Sequence, residues 1–150
     1  MFTPLGLTIH SPSEHTINDM NFNFEMQIYH QYANGMDMGA VVSILFDVTR
    51  GITTEPNTAN PFIEQLMFNM ADPNGYSLNE VNLATFLASV DMRKYWAYNG
   101  SLTTPPCTEG VKWIVIEEVQ TISMDQLNAI KAYFSDNLSF ASGKGNNRLP

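Results

Sequence analysis

Hydrophobic and polar residues alternate most cleanly between Phe22 and His30. Phe22, Phe24, Met26, Ile28 and His30 fall to one side, and Asn23, Glu25, Gln27 and Tyr29 to the other. A period of two predicts a half-buried strand. From Met38 to Val48 the alternation gives way to a nearly continuous apolar run centred on Ala40-Val41-Val42-Ser43-Ile44-Leu45-Phe46. That is the pattern of a strand buried on both faces. Phe2 to Ile9 predicts a further strand, interrupted by Pro4 and Gly6, with Thr8 and His10 on one face and Ile9 on the other.

Helical spacing appears twice. Pro61 to Met70 places Phe62, Leu66 and Phe68 together, with Asn60 as N-cap and Pro61 in the first turn. Further on, Ser123 caps a helix that carries Leu127, Ile130 and Phe134, and Gln126 completes a capping box. Ala71 to Tyr76 has the residues of a turn, and Ala141 to Asn147 forms an irregular Gly/Asn-rich tail. There is no internal repeat and no linker between domains.

The aromatic segment Tyr95-Trp96-Ala97-Tyr98 predicts a strand leading into Tyr98 to Val115, a loop that runs into a second strand. Gly100 permits an unusual backbone angle there, Thr103 and Thr104 present two hydroxyls, and Pro105-Pro106 stiffen the chain. Val111 to Ile116 then has the β-branched and aromatic content of a strand. A hydroxyl pair on a stiff loop can fix a proton donor and acceptor in a pocket. An ordinary proline-containing connection fits the same residues.

Composition narrows the class. The chain has 150 residues, 44% hydrophobic and 15% charged, enough for one globular domain with a core. Seven basic and fifteen acidic residues give a formal charge of −8. That balance argues against nucleic acid or anionic lipid as a partner, because both rely on Lys and Arg. No apolar run is long enough to span a bilayer, and no signal peptide is visible at Met1. The single cysteine, Cys107, has no internal disulfide partner.

Three blocks carry a resemblance. His10-Ser11-Pro12-Ser13-Glu14-His15-Thr16-Ile17-Asn18, Phe24 to Gln31, and Tyr98 to Val115, in this order and spacing, resemble the α-class carbonic anhydrases. Weaker similarity runs from Phe2 to Arg148. The resemblance implies an α+β, β-dominated fold: part of a large central, mostly antiparallel twisted sheet with short peripheral helices. It also implies that residues 1–150 form a partial domain, lacking the family's N-terminal strands and its last C-terminal residues. A protein partner is then expected to cover the open sheet edge, in a complex.

The resemblance further implies a zinc site in which three histidines hold the ion and water takes the fourth position. The ligand positions map onto Thr8, His10 and Gln27, so one histidine remains of three. A hydroxyl and a carboxamide are poor zinc donors, and the expectation is that the ancestral zinc is lost, leaving no cofactor and no catalytic residue. Glu14 and Thr103 match a pair in which the carboxylate accepts the threonine proton. Glu25 matches the carboxylate that orients the third histidine. Thr104, Tyr98, Val41, Val111 and Trp113 match pocket residues, and Tyr29 stands where the family has a small aliphatic side chain. Arg148 matches an arginine that anchors the loop. His15 and His30 match structural histidines, and His30 is expected on the face opposite Gln27. Cys107 has the chemistry of a metal ligand, but the resemblance implies a disulfide to a cysteine in the missing N-terminal part.

The resulting expectation is a catalytically inactive carbonic anhydrase-like protein acting as a binding or structural subunit. The alternatives are an active zinc carbonate dehydratase, with atypical ligands or a site completed by missing segments, and a purely architectural component. The sequons Asn99-Gly100-Ser101 and Asn137-Leu138-Ser139 favour a secretory, extracellular or organellar location over a cytoplasmic one.

Overall fold

The computed structural model describes residues 2–32, 38–52, 55, 57–70 and 82–136. The readings placed on the Ala71–Tyr76 turn, the 137–139 sequon, the 141–147 tail and Arg148 lie outside the described residues, as do the side chains of Phe68 and Phe134.

In chain order the strands are β1 (Phe2–His10), β2 (Thr16–Ile17), β3 (Met20–Asn21), β4 (Phe24–Tyr32) and β5 (Met38–Asp47). Helices α1 (Pro61–Met70) and α2 (Leu83–Ser89) follow, then β6 (Tyr95–Ser101), β7 (Glu109–Ile116), β8 (Gln120–Thr121) and α3 (Met124–Asp136). Among the described residues six strands form one sheet in the order β1-β4-β5-β7-β6, with β8 also pairing with β5. The β1–β4, β4–β5 and β6–β7 pairs are antiparallel, and β5 runs parallel to β7 and β8. The fold is therefore the β-dominated, mostly antiparallel sheet with short helices that the resemblance implies.

Alternation along the strands gives the sheet two unlike faces. Phe24, Met26, Ile28, Ile44, Phe46 and Ile116 point to one side, where Phe62 and Ile63 of α1, Phe86 of α2 and Leu127 and Ile130 of α3 complete the main core. Asn60 caps α1, its Oδ1 accepting from the amides of Phe62 and Ile63 at 3.1 and 3.3 Å. Ser123 and Gln126 form the capping box of α3, and the Gln126 carboxamide also holds the backbone of Asn60. One side chain thus ties two helix starts together.

Three sequence expectations are corrected. Phe22 lies before β4 and packs with Leu45 and Val115 on the face opposite Phe24. The strand that starts at Tyr95 runs past Tyr98, so Asn99 to Ser101 is strand, not loop. Gly100 does not take a positive φ; among the described glycines Gly110 does, at 83°. Space is tight at Gly100, because a Cβ there would stand 3.0 Å from Tyr98 Cε2 and 3.1 Å from Trp113 Cδ1 and one ring would have to give. Helix α2 has no counterpart in the sequence reading.

Candidate functional site

The face away from the helices carries two small apolar clusters with polar groups between them. One cluster is Phe22, Leu45 and Val115. The other is Val41, Val111 and Trp113, against which Tyr29 packs. The polar groups arrive by strand register: Thr8 pairs with Gln27, His10 with Glu25, and Gln27 with Ser43. Because alternate side chains share a face, Thr8, His10, Glu25, Gln27, Tyr29 and Ser43 project together.

They form a continuous hydrogen-bonded network. Thr8 Oγ1 lies 3.2 Å from His10 Nε2 and donates to Tyr29 Oη at 3.3 Å. Tyr29 donates to Gln27 Oε1 at 2.9 Å. The Gln27 amide nitrogen donates to Glu14 Oε2 at 2.9 Å and to Glu25 Oε1 at 3.0 Å. Glu25 also accepts from Ser43 Oγ and from the backbone amides of Glu14 and His15. His15 Nδ1 lies 2.7 Å from Glu25 Oε1, and its Nε2 lies 2.7 Å from the Tyr98 hydroxyl.

Glu25 and Gln27 have no solvent exposure. Burial pushes the Glu25 carboxyl up, but the hydrogen bonds and charge of His15, with the Gln27 amide, outweigh it and hold the pKa at about 2. Burial, with the negative charges of Glu25 and Glu14 behind it, pushes the Tyr98 phenol up to about 12. Burial likewise raises Tyr29 against the opposing hydrogen bond from Thr8. Both phenols stay protonated at neutral pH and serve as hydrogen-bonding groups.

The pairing of Glu14 with Thr103 is not made. Gln27 takes the Glu14 carboxylate, and Thr103 Oγ1 is buried without a hydrogen-bond partner. His10 Nδ1 is likewise buried and has no hydrogen-bond partner among the described residues, its nearest charged neighbour being Glu14 Oε1 at 3.7 Å. Thr104 is exposed, its carbonyl accepting from the Cys107 amide in a tight turn, and Cys107 is exposed with a free thiol. His30 is half-buried on the face opposite Gln27, with Nδ1 3.0 Å from the Ile28 carbonyl oxygen. Ser43 was not singled out from the sequence. Its signal was a lone hydroxyl inside an otherwise apolar run.

A cavity of about 650 Å³ opens elsewhere, between α1 and α2, and shares no residue with this network.

A model of the eukaryotic-type carbonic anhydrases matches residues 6–148. The chain belongs to that family. Alpha carbonic anhydrase 4 of Arabidopsis thaliana is 35% identical over 127 residues, covering 85% of this chain and 44% of that protein. Dioscorin dioA3 of Dioscorea japonica is 35% identical over 131 residues, covering 85% and 45%. The chain therefore spans about half the length of these curated relatives. Among solved structures, the α-carbonic anhydrase of Thermovibrio ammonificans in complex with sulfanilamide superposes with a TM-score of 0.72 at 30% identity, covering 96% of this chain and 57% of that one. Dioscorin complexed with ascorbate gives 0.66 at 34% identity, covering 85% and 50%.

The family implies zinc, and the donor set can be tested against it. The positions onto which the resemblance maps the family's ligands, Thr8, His10 and Gln27, hold a hydroxyl, an imidazole and a carboxamide. Thr8 is turned onto His10 and Tyr29, and Gln27 is held through both ends of its amide. Among the described residues no group of three His, Cys, Asp or Glu side chains is arranged to hold a metal ion. This donor set does not fit a tetrahedral zinc site, which takes imidazole, thiolate or carboxylate ligands.

Proposed function

We propose that this carbonic anhydrase-family chain is catalytically silent and serves as a binding or structural subunit of a larger assembly. The observation that carries the reading is the state of Gln27. Its carbonyl accepts from Tyr29 and its amide nitrogen donates to Glu14 and Glu25, so the third ligand position is filled by a hydrogen-bonded plug. Metal entry would have to break these bonds and offer one imidazole in return, against the roughly 10–16 kcal/mol a full structural ligand set supplies. Tyr29, packed against Val41, Val111 and Trp113, also fills apolar space that a small substrate would need.

In this reading zinc is absent, the partner is a protein lying against an open sheet edge, nucleic acid is not engaged, and residues 1–150 do not themselves span a membrane. The formal charge of −8 supports the exclusion of nucleic acid. A location in the secretory pathway or an organelle fits the sequons. A relative solved with ascorbate gives the fold a precedent for small-ligand binding.

The competing reading is an active zinc carbonate dehydratase whose site is completed by other segments. It draws support from His10 Nδ1 and Thr103 Oγ1, two enclosed polar atoms without hydrogen-bond partners among the described residues. Carbon dioxide hydration by the full-length natural protein, with and without added zinc, separates the two, together with elemental analysis of the purified protein. The silent reading expects no hydration above the uncatalysed rate and substoichiometric zinc. One equivalent of tightly held zinc with measurable hydration would overturn it.

A further inference from the structure

The direction of each hydrogen bond between Gln27 and His10 follows from the protons available. Gln27 sets the first. Its amide nitrogen lies 2.9 Å from Glu14 Oε2 and 3.0 Å from Glu25 Oε1. A flipped amide would press its carbonyl oxygen against both carboxylates, so the nitrogen faces them and Oε1 faces Tyr29. That oxygen only accepts, and Tyr29 gives it its one proton at 2.9 Å. The phenol then has nothing left to donate, so in the contact of 3.3 Å between them Thr8 is the donor. The threonine proton is now committed as well. Thr8 Oγ1 lies 3.2 Å from His10 Nε2 and accepts there, so this ring nitrogen carries a hydrogen.

The second ring nitrogen bears this out. A neutral imidazole has one hydrogen, and with that hydrogen on Nε2 the lone pair lies on Nδ1. His10 Nδ1 is enclosed, has no hydrogen-bond partner among the described residues, and stands 3.7 Å from Glu14 Oε1. Two acceptors that face each other form no hydrogen bond. The long distance and the missing partner have the same cause.

We infer that Tyr29 is a positioning residue that fixes the tautomer of His10, and that this tautomer disarms the one imidazole left at the three ligand positions. Nε2 is the ring nitrogen joined to Thr8 and, through Tyr29, to Gln27. An ion shared by those three positions needs a lone pair on that nitrogen, and it meets a hydrogen instead. The lone pair is held on Nδ1, against the Glu14 carboxylate. Protons thus run one way, from His10 through Thr8 and Tyr29 to Gln27. The small aliphatic side chain that the resemblance implies at position 29 has no hydroxyl to carry this polarity from β4 back to β1. Every group in the relay belongs to β1, to β4 or to Glu14, four residues after His10.

This inference deepens the silent reading and rests on it only for what the tautomer accomplishes. The tautomer itself is read by nuclear magnetic resonance of the full-length protein, uniformly nitrogen-labelled. At pH about 8.5, above the ordinary imidazole pKa of about 6.5, long-range proton–nitrogen correlations show which ring nitrogen bears the hydrogen. His10 should bear it on Nε2. His15, whose Nδ1 faces the Glu25 carboxylate, supplies the opposite pattern in the same spectrum. Tyr29→Phe removes only the hydroxyl. Thr8 is then free to donate to Nε2, and the ring gains a bond by moving its hydrogen to Nδ1, towards Glu14. The expected result is a switch of tautomer at His10 with His15 and His30 unchanged, a response that a merely space-filling tyrosine would not give. A hydrogen on Nδ1 of His10 in the parent, alone or together with one on Nε2, would overturn the inference whether or not the variant folds. An unchanged His10 tautomer in a folded Tyr29→Phe would overturn the role of Tyr29. The two readings fail separately: carbon dioxide hydration by a parent with its hydrogen on Nε2 contradicts the silent reading alone, and the opposite tautomer in a zinc-free, inactive parent contradicts this inference alone.

Discussion

Glu25 Oε1 lies 2.7 Å from His15 Nδ1, and the carboxylate is completely withdrawn from solvent. A buried carboxylate is tolerated only when its oxygens are fully engaged, and here His15, Gln27, Ser43 and two backbone amides supply the donors. Removing His15 would strand the charge, and the expected cost of His15→Ala is about 3–5 kcal/mol. Tyr98→Phe deletes only the bond at the outer end of the same imidazole, for which about 1 kcal/mol is expected. Urea denaturation of the two variants measures the contrast; equal, small losses would show that His15 does not support the carboxylate.

The same carboxylate sets an acid limit. Its pKa falls from an ordinary 4.5 to about 2 on folding. The unfolded chain therefore binds the proton at a higher pH than the folded one. The stabilisation is fully present above pH 4.5, declines below it, and is lost as pH falls through about 2. At its largest it amounts to about 3 kcal/mol, from 1.36 kcal/mol per pKa unit. Denaturation midpoints between pH 7 and 2.5 should fall steeply only in the acid part of the range, and Glu25→Gln should flatten that fall. An unchanged pH slope in the variant would place the acid sensitivity elsewhere.

Strands β4 and β5 and the caps of α1 and α3 were legible in the sequence because each is a local signal. Alternation of Phe24, Met26 and Ile28, or Ser123 followed by Gln126, needs no knowledge of the rest of the chain. What was not legible depended on distant residues. Phe22 continues the alternation in sequence but precedes the strand, and it finds Leu45 and Val115 on the other face. Ser43 counts as one polar interruption until β4 brings Glu25 beside it. The bond expected between Glu14 and Thr103 fails for a similar reason. The resemblance placed Gln27 at a ligand position, but its claim on the Glu14 carboxylate is a property of the assembled sheet.

Gly100 offers a test of packing rather than of backbone freedom. Its φ is not positive, and the absent Cβ would enter a gap between the stacked rings of Tyr98 and Trp113, whose centroids are 6.2 Å apart. Trp113 is 1% exposed and its indole N–H donates to the Ser101 carbonyl, so it cannot give way freely. Gly100→Ala should therefore destabilise the fold by about 1–3 kcal/mol, the usual cost of overpacking. Thermal unfolding monitored by tryptophan fluorescence reports both the loss and the displaced ring. A neutral or stabilising result would mean that the rings separate easily.

Restoring imidazoles at two positions tests the reading of the network. Thr8 and Gln27 are register partners on adjacent strands, and His10 shares the face of Thr8. If the backbone still holds the family's spacing, Thr8→His with Gln27→His presents three imidazoles to one point. The double variant loses the amide bonds to Glu14 and Glu25, so it should be less stable than the parent without metal. Added zinc should reverse that loss and raise the melting temperature with concentration, because a ligand that binds only the folded state stabilises by mass action. Elemental analysis after chelator washing should find about one equivalent of zinc in the variant, as a three-histidine site implies, and little in the parent. Zinc retained by the parent would sink the silent reading, since its hydrogen-bonded glutamine would then be no barrier. A folded variant that takes up no zinc would mean that the strands have moved from the spacing the metal needs. The fault would then lie in the backbone as well as in the side chains.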